Sequence, residues 1–98
     1  MTDIQTLTKE KIKLDEPGLY DVLFLNDNIT TMEFVVKVLK QIYGKTPEQA
    51  QNITTKIHQD GQGIVGSYVH EVAEQKGIET TLAARQENFT LQVKVKKQ

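Results

Sequence analysis

Three consecutive side chains rich in hydrogen-bond acceptors, Asn26, Asp27 and Asn28, are followed at once by Ile29-Thr30-Thr31 and then by Met32-Glu33-Phe34. An oxygen-rich corner beside apolar side chains suits a small charged group with a greasy neighbour, such as a chain terminus. An α-ammonium offers three donors and a positive charge, so it needs acceptors held in fixed directions. Asn and Asp also bond nearby backbone at corners, and Thr caps helices, so a turn and a cap account for part of the pattern. Three amide or carboxyl side chains in a row exceed what one turn and one cap require. His58 has an ordinary reading as a histidine stabilised near a helix C-terminus. Thr54 and Ile57 lie within one turn of it, however, and make a mixed patch able to face the loop. Met32 reads either as core filler or as the adaptable wall of a small pocket.

Enzyme readings fail on inventory. His58 and His70 are the only histidines and Ser67 is the only serine, and no glycine-rich phosphate loop follows a strand. Asp27 and His58 can be written as an acid/base pair, yet a small hydrolase built on them lacks a nucleophile and an oxyanion hole. Two histidines and one loop carboxylate do not match familiar metal-ligand spacings. The expectation is therefore a non-enzymatic protein without metal or cofactor.

Composition narrows the partners. With 98 residues the chain is one domain at most, able to hold one modest core and no large internal cavity. Its 12 basic and 13 acidic residues leave a formal charge of -1, which argues against nucleic acid or an anionic membrane as partner. The cluster Lys94, Lys96, Lys97 is too short to reverse that. The absence of cysteine removes disulfides and thiolate sites and fits a reducing compartment. No apolar run approaches the length of a membrane span and no signal segment opens the chain, so a cytoplasmic monomer is expected.

The elements that must position these residues follow from periodicity. Residues 1–18 are polar, with isolated apolar positions and a closing Pro17-Gly18, and read as a flexible extension preceding a core over 19–98. Residues 19–25 form a continuous β-prone run, expected to be a middle strand buried on both faces. A helix is expected from Thr31 to Tyr43, with Thr30 or Thr31 as cap and Gly44 at its end. A second helix starts with Thr46 as cap, Pro47 in the first position and Gln49 as capping-box partner, running to Asp60 and stopping at Gly61. Ile64, Val65 and Tyr68 among three glycines suggest a short irregular strand. A third helix is expected over Tyr68 to Gln86, with Val69, Val72, Ala73, Ile78 and Leu82 as its apolar face and a packing reason for Gly77. Phe89, Leu91, Val93 and Val95 alternate with polar residues as a half-buried strand. The order β-α-α-β-α-β leaves no room for repeated parallel crossovers, so the fold class is α+β: three helices on one face of a small, largely antiparallel three-stranded sheet.

The run Leu25 to Val35, with Ile57-His58-Gln59-Asp60-Gly61 and Glu71-Val72-Ala73-Glu74, resembles the bacterial ClpS adaptor family, in order from about residue 17 to the C-terminus. The resemblance implies an adaptor of the N-end rule pathway. Such adaptors capture proteins whose first residue is bulky and hydrophobic (Leu, Phe, Tyr or Trp) and deliver them to a ClpA-type or ClpC-type AAA+ unfoldase of the Clp protease. It implies that Asn26, Asp27, Asn28 and His58 hold the α-ammonium and first peptide groups. Thr30, Met32, Val35, Thr54, Ile57 and Leu91 fall on the side-chain pocket, with Met32 as the gate that disfavours β-branched first residues. Glu71 and Lys76 fall on the surface for the unfoldase N-domain, and residues 1–18 on the extension used in handing substrate over. Asn28 stands where the family usually has a second Asp, and Thr54 where some relatives have a larger apolar residue. The reading from another class is an interaction domain of the same fold, as in the C-terminal domain of the ribosomal stalk protein, recognising an internal protein surface. Such a domain has no need of an ammonium pocket.

Overall fold

The computed structural model describes residues 18–98, so nearly all of the extension expected over 1–18 lies outside the described residues. Strand β1 (Tyr20–Leu25) is followed by helices α1 (Met32–Gln41) and α2 (Pro47–Asp60), strand β2 (Gln62–Tyr68), helix α3 (His70–Gln86) and strand β3 (Gln92–Lys97). The strands form one antiparallel sheet in the order β2-β1-β3, with β1 in the middle as its apolar run implied. Helix α1 packs on α2, α2 on β2, and α3 chiefly on β3 and β1.

Burial along β1 alternates rather than extending over both faces. Val22 and Phe24 are fully buried, whereas Asp21, Leu23 and Leu25 are half-buried. Helices on one face of a three-stranded sheet leave the other face facing water, and a long apolar run in a strand does not change that geometry. Phe24 meets the edge of Tyr43 with ring centroids 5.5 Å apart, and Phe34 meets Phe89 at 5.0 Å. Such edge-on pairs add to the area they bury. Leu39, Val38, Val65 and Leu91 complete the core.

The helix signals resolve well. Thr46 Oγ1 accepts from Gln49 N–H and Gln49 Oε1 accepts from Thr46 N–H, each at 3.1 Å, a complete capping box with Pro47 at the first position. Gly61 ends α2 with φ 86°, a left-handed conformation that glycine adopts without a Cβ penalty. Strand β2 is irregular as its glycines suggested. Val22 pairs with Gly66 and Leu23 with Ile64, so Val65 is an extra residue that bulges into the core while Ile64 is exposed.

Helix α3 departs from expectation in its start and its face. Tyr68 stays in β2, the helix begins at His70, and Val69 precedes it without a side-chain cap. The buried positions are Ala73, Gly77, Thr80 and Ala84, while Val69, Val72, Ile78 and Leu82 are exposed. Of the apolar face predicted from sequence, only Ala73 points inward. Small residues let the helix axis approach the sheet, and Val93 and Val95 of β3 reach toward it to fill the space.

Candidate functional site

The loop leaving β1 is tied at three points. Asn26 N–H donates to Gly61 C=O at 2.9 Å, joining the exit of β1 to the end of α2. Thr31 Oγ1 accepts from Phe34 N–H at 3.1 Å, so Thr31 rather than Thr30 caps α1. Thr30 instead belongs to Asp27. Asp27 Oδ1 accepts from Ile29 N–H at 2.9 Å and Thr30 N–H at 2.7 Å, and Oδ2 accepts from Thr30 Oγ1 and Thr90 Oγ1, both at 3.1 Å. A carboxylate has about four lone-pair sites, and these donors occupy them. Partial burial pushes the Asp27 carboxyl upward, but the bonds from Thr30, Ile29 and Thr90 outweigh it and hold the group below the ordinary carboxylate value. Asp27 therefore stays charged while its oxygens organise the loop.

This loop, the end of β1, α1, α2 and Leu91 just before β3 form a cleft of about 280 Å³ including its open mouth. Val35, Thr54, Ile57 and Leu91, all buried, line it. Asn26 and His58 are exposed and also line it, with Asp27 and Thr30 half-buried beside them. Met32 lines it while 47 % exposed. Every residue predicted for the ammonium or the side-chain pocket thus meets in one place except Asn28, which is exposed on the loop and outside the lining. Thr54 donates its hydroxyl to Ala50 C=O at 2.7 Å, which engages its proton within α2. The arrangement joins polar acceptors and one negative charge to an apolar slot.

Three contributors escaped the sequence reading. Leu25 lines the cleft. Thr90 supplies the fourth donor to Asp27. Arg85 Nη1 donates to Phe89 C=O at 2.9 Å and to Leu91 C=O at 3.0 Å, holding the turn that delivers both Thr90 and Leu91. The only sequence signal was that Thr90 lies between two inward residues, which places it outward without naming its partner.

Glu71 and Lys76 lie apart from the cleft on α3. Glu71 is exposed in the first turn. Lys76 is half-buried, and its Nζ donates to Ile42 C=O at 2.7 Å, at the C-terminal cap of α1. The same ammonium stands over the rings of Tyr68 and Tyr43, 5.2 and 5.7 Å from their centroids. Lys76 thus ties α3 to the C-terminal end of α1. Among the described residues, no cluster of three His, Cys, Asp or Glu is placed to hold a metal ion, and no helix is long and apolar enough to cross a membrane.

Known proteins resemble this chain over most of its length. The family described as ATP-dependent Clp protease adaptor protein ClpS matches residues 15–94. The ATP-dependent Clp protease adapter protein ClpS of Campylobacter jejuni subsp. doylei is 41 % identical over 95 residues, covering 97 % of this chain and 99 % of the relative. The ClpS of Maricaulis maris is 45 % identical over 91 residues, covering 93 % and 84 %. Among solved structures, Agrobacterium tumefaciens ClpS2 bound to L-phenylalaninamide superposes with a TM-score of 0.80 at 29 % identity, covering 84 % of this chain and 99 % of that one.

Proposed function

This chain belongs to the ClpS family of Clp protease adaptors, and on that premise we propose that it captures proteins with a bulky hydrophobic first residue and delivers them to a ClpA-type or ClpC-type unfoldase. The observation that carries the reading is the cleft itself, in which Asn26, Asp27 and His58 stand at the mouth of a slot lined by Val35, Thr54, Ile57 and Leu91. The structural neighbour's ligand, an amino acid amide with a free α-amine and an aromatic side chain, has the chemistry such a slot would take.

The four internal donors on Asp27 divide the labour at the mouth. Asn26 and His58, which line the cleft, are the direct acceptors for the ammonium and first peptide group, with Asn28 a further acceptor on the loop outside the lining, while Asp27 fixes the loop and supplies the negative charge. The first side chain enters the apolar slot past Met32, the gate against β-branched residues. Burying a Leu or Phe side chain is worth roughly 1.5 to 3 kcal/mol, and an ammonium without acceptors loses a comparable amount. Selectivity for a free terminus with a fitting side chain follows from needing both at once.

Glu71 and Lys76 are the contacts for the unfoldase N-domain, and they, like the hand-over role of residues 1–18, are assigned by resemblance alone. Nothing in this reading requires catalysis or nucleic acid, and a single copy suffices. The test is calorimetric titration with a peptide beginning in free Leu and with its N-acetylated copy. Binding of the free peptide and loss on acetylation is the expected outcome. Equal binding of the two would sink the assignment.

A further inference from the structure

Strand β3 is an outer strand of the sheet, and among the described residues nothing pairs with its far edge. The ladder to β1 fixes which groups that edge offers. Gln98 N–H donates to Leu19 C=O at 3.1 Å, and these two continue the register that sets Tyr20 opposite Lys97. Hydrogen-bonded and open pairs alternate along an antiparallel ladder, so Gln92, Lys94 and Lys96 face β1 while Val93, Val95 and Lys97 turn their N–H and C=O outward. The other outer strand, β2, is broken by its bulge at Val65, whereas β3 keeps one register over all 6 of its residues.

Side chains give this edge two unlike faces. Toward α3, half-buried Val93 and Val95 line a groove of about 520 Å³ including its open mouth, with buried Gly77 behind them and Ile78, 60 % exposed, on its wall. Thr81 and Glu74 complete it, and Glu74 Oε2 stands 3.2 Å from His70 Nε2. On the opposite face Lys94 and Lys96 are exposed, with Lys97 at the strand's end, and none of the three makes an ion pair among the described residues. Lys96 stands opposite Asp21, whose carboxylate already accepts from Ser67 and Gln98, and Lys94 stands opposite Leu23.

We propose that the free edge of β3 receives an extended segment of another protein in which apolar residues alternate with acidic ones. The segment adds a strand through the outward groups of Val93, Val95 and Lys97, a mode in which backbone bonds supply affinity and alternate side chains supply specificity. Residues directly opposite on adjacent strands share a face. Its apolar side chains therefore enter the groove against Val93, Val95 and Ile78, and its carboxylates stand beside Lys94 and Lys96. Edge lysines oppose pairing with a like-charged strand, and the same charges select an acidic one. A second copy is disfavoured because β3 against β3 sets lysines beside lysines. So is this chain's own Lys11-Ile12-Lys13-Leu14, whose apolar pair alternates with two further lysines. The groove shares no lining residue with the cleft, so the proposal stands apart from the terminus-binding reading.

The test is NMR on the full chain with two synthetic heptapeptides, N-acetylated so that neither offers a free amine: valine alternating with glutamate, and valine alternating with lysine. With the glutamate peptide, the amide protons of Val93, Val95 and Lys97 are expected to move downfield while those of Gln92, Lys94 and Lys96 stay near their places. The Ile78 methyls are expected to contact the peptide's valines. The lysine peptide is expected to bind at least about tenfold more weakly, because its cross-strand charge pairs are like-signed. In Lys94→Glu/Lys96→Glu that preference is expected to invert. Amide shifts without the two-residue alternation, or equal binding of the two peptides, would overturn the proposal. So would protection of the Val93, Val95 and Lys97 amides from hydrogen exchange in the dilute chain alone, which would assign the edge to residues 1–17, or protection that grows with protein concentration, which would assign it to a second copy. Should the double variant not fold, the alternation and the two-peptide comparison in the unaltered chain decide alone.

Discussion

Thr90 Oγ1 donates to Asp27 Oδ2 across 3.1 Å, clasping the turn before β3 to the loop after β1. Arg85 fixes the turn on one side of this bond through Phe89 and Leu91, and Asp27 fixes the loop on the other through Ile29 and Thr30. The pairing of Leu25 with Gln92 brings Leu91 beside the acceptors at the slot's mouth, and the Thr90 hydroxyl makes the side-chain bond that clasps the two segments beyond the sheet. Thr90→Val keeps the shape and removes the donor. It is expected to lower stability by about 1 kcal/mol and to weaken a free-Leu peptide about fivefold, while Thr90→Ser restores both. Calorimetry on the two variants checks this, and full affinity in Thr90→Val would show that the clasp does not organise the site.

Asp27 also sets an acid limit. Its carboxyl is held below the ordinary value of 3.8, so near that pH the unfolded chain binds more protons than the folded one and stability rises with pH. The contribution is present above the unfolded pKa and is lost as pH falls through the lower folded one. Urea midpoints measured from about pH 6 down to about pH 2 are expected to fall below about pH 4. Asp21, lowered by its bonds from Ser67 and Gln98, acts in the same direction. The diagnostic quantity is thus a difference: Asp27→Asn should lose less stability over that interval than the unaltered chain. A parallel decline would assign the acid sensitivity elsewhere.

Lys76 and Glu71 separate by experiment, although resemblance groups them on one docking surface. Lys76 satisfies the last turn of α1 and lies against two tyrosine rings, and burial raises the Tyr43 phenol to about 12, so that ring stays neutral beside the ammonium. Lys76→Met is expected to lower stability by about 1 to 2 kcal/mol, a Tm decrease of roughly 4 to 16 °C for a domain of this size. Glu71→Ala, at an exposed position, should leave Tm within about 2 °C while weakening binding of the isolated unfoldase N-domain. Thermal melts beside N-domain titrations decide the matter. An unchanged Tm in Lys76→Met would remove its structural role.

The sequence made the cleft legible because its residues come from elements with strong local signals. The Thr46-Pro47-Gln49 start and the Gly61 stop fixed the length of α2, and hence the height at which Thr54, Ile57 and His58 meet the loop. What it hid was long-range or negative. Nothing local in Thr90 names Asp27 as partner, and nothing in Lys76 distinguishes a surface cation from one capping another helix. Helix α3 misled for a different reason. Its larger apolar residues suggest one face, but a helix lying close on a sheet buries its small residues, so Ala73, Gly77, Thr80 and Ala84 went inward. The criterion that failed was residue hydrophobicity without residue volume.

Gly77 carries that lesson into a test. A glycine buried in mid-helix against a sheet invites the view that only glycine fits. A Cβ added there, however, would stand 3.5 Å from Val93 Cγ1 and 3.7 Å from Val95 Cγ2, which is ordinary van der Waals contact. No positive φ requires glycine either, since among the described glycines only Gly18, Gly44 and Gly61 have one. The helix-propensity term then decides the sign, because alanine restricts the unfolded chain and loses no native contact. Gly77→Ala is expected to stabilise the domain by about 0.5 to 1 kcal/mol, raising the urea midpoint without changing the slope. Gly63 is the contrasting control: a Cβ there would meet Ile57 Cγ1, on the slot's own wall, at 2.8 Å. Gly63→Ala should therefore destabilise the fold and disturb peptide binding. A stability loss in Gly77→Ala equal to that of Gly63→Ala would mean that α3 cannot yield even a few tenths of an ångström over β3.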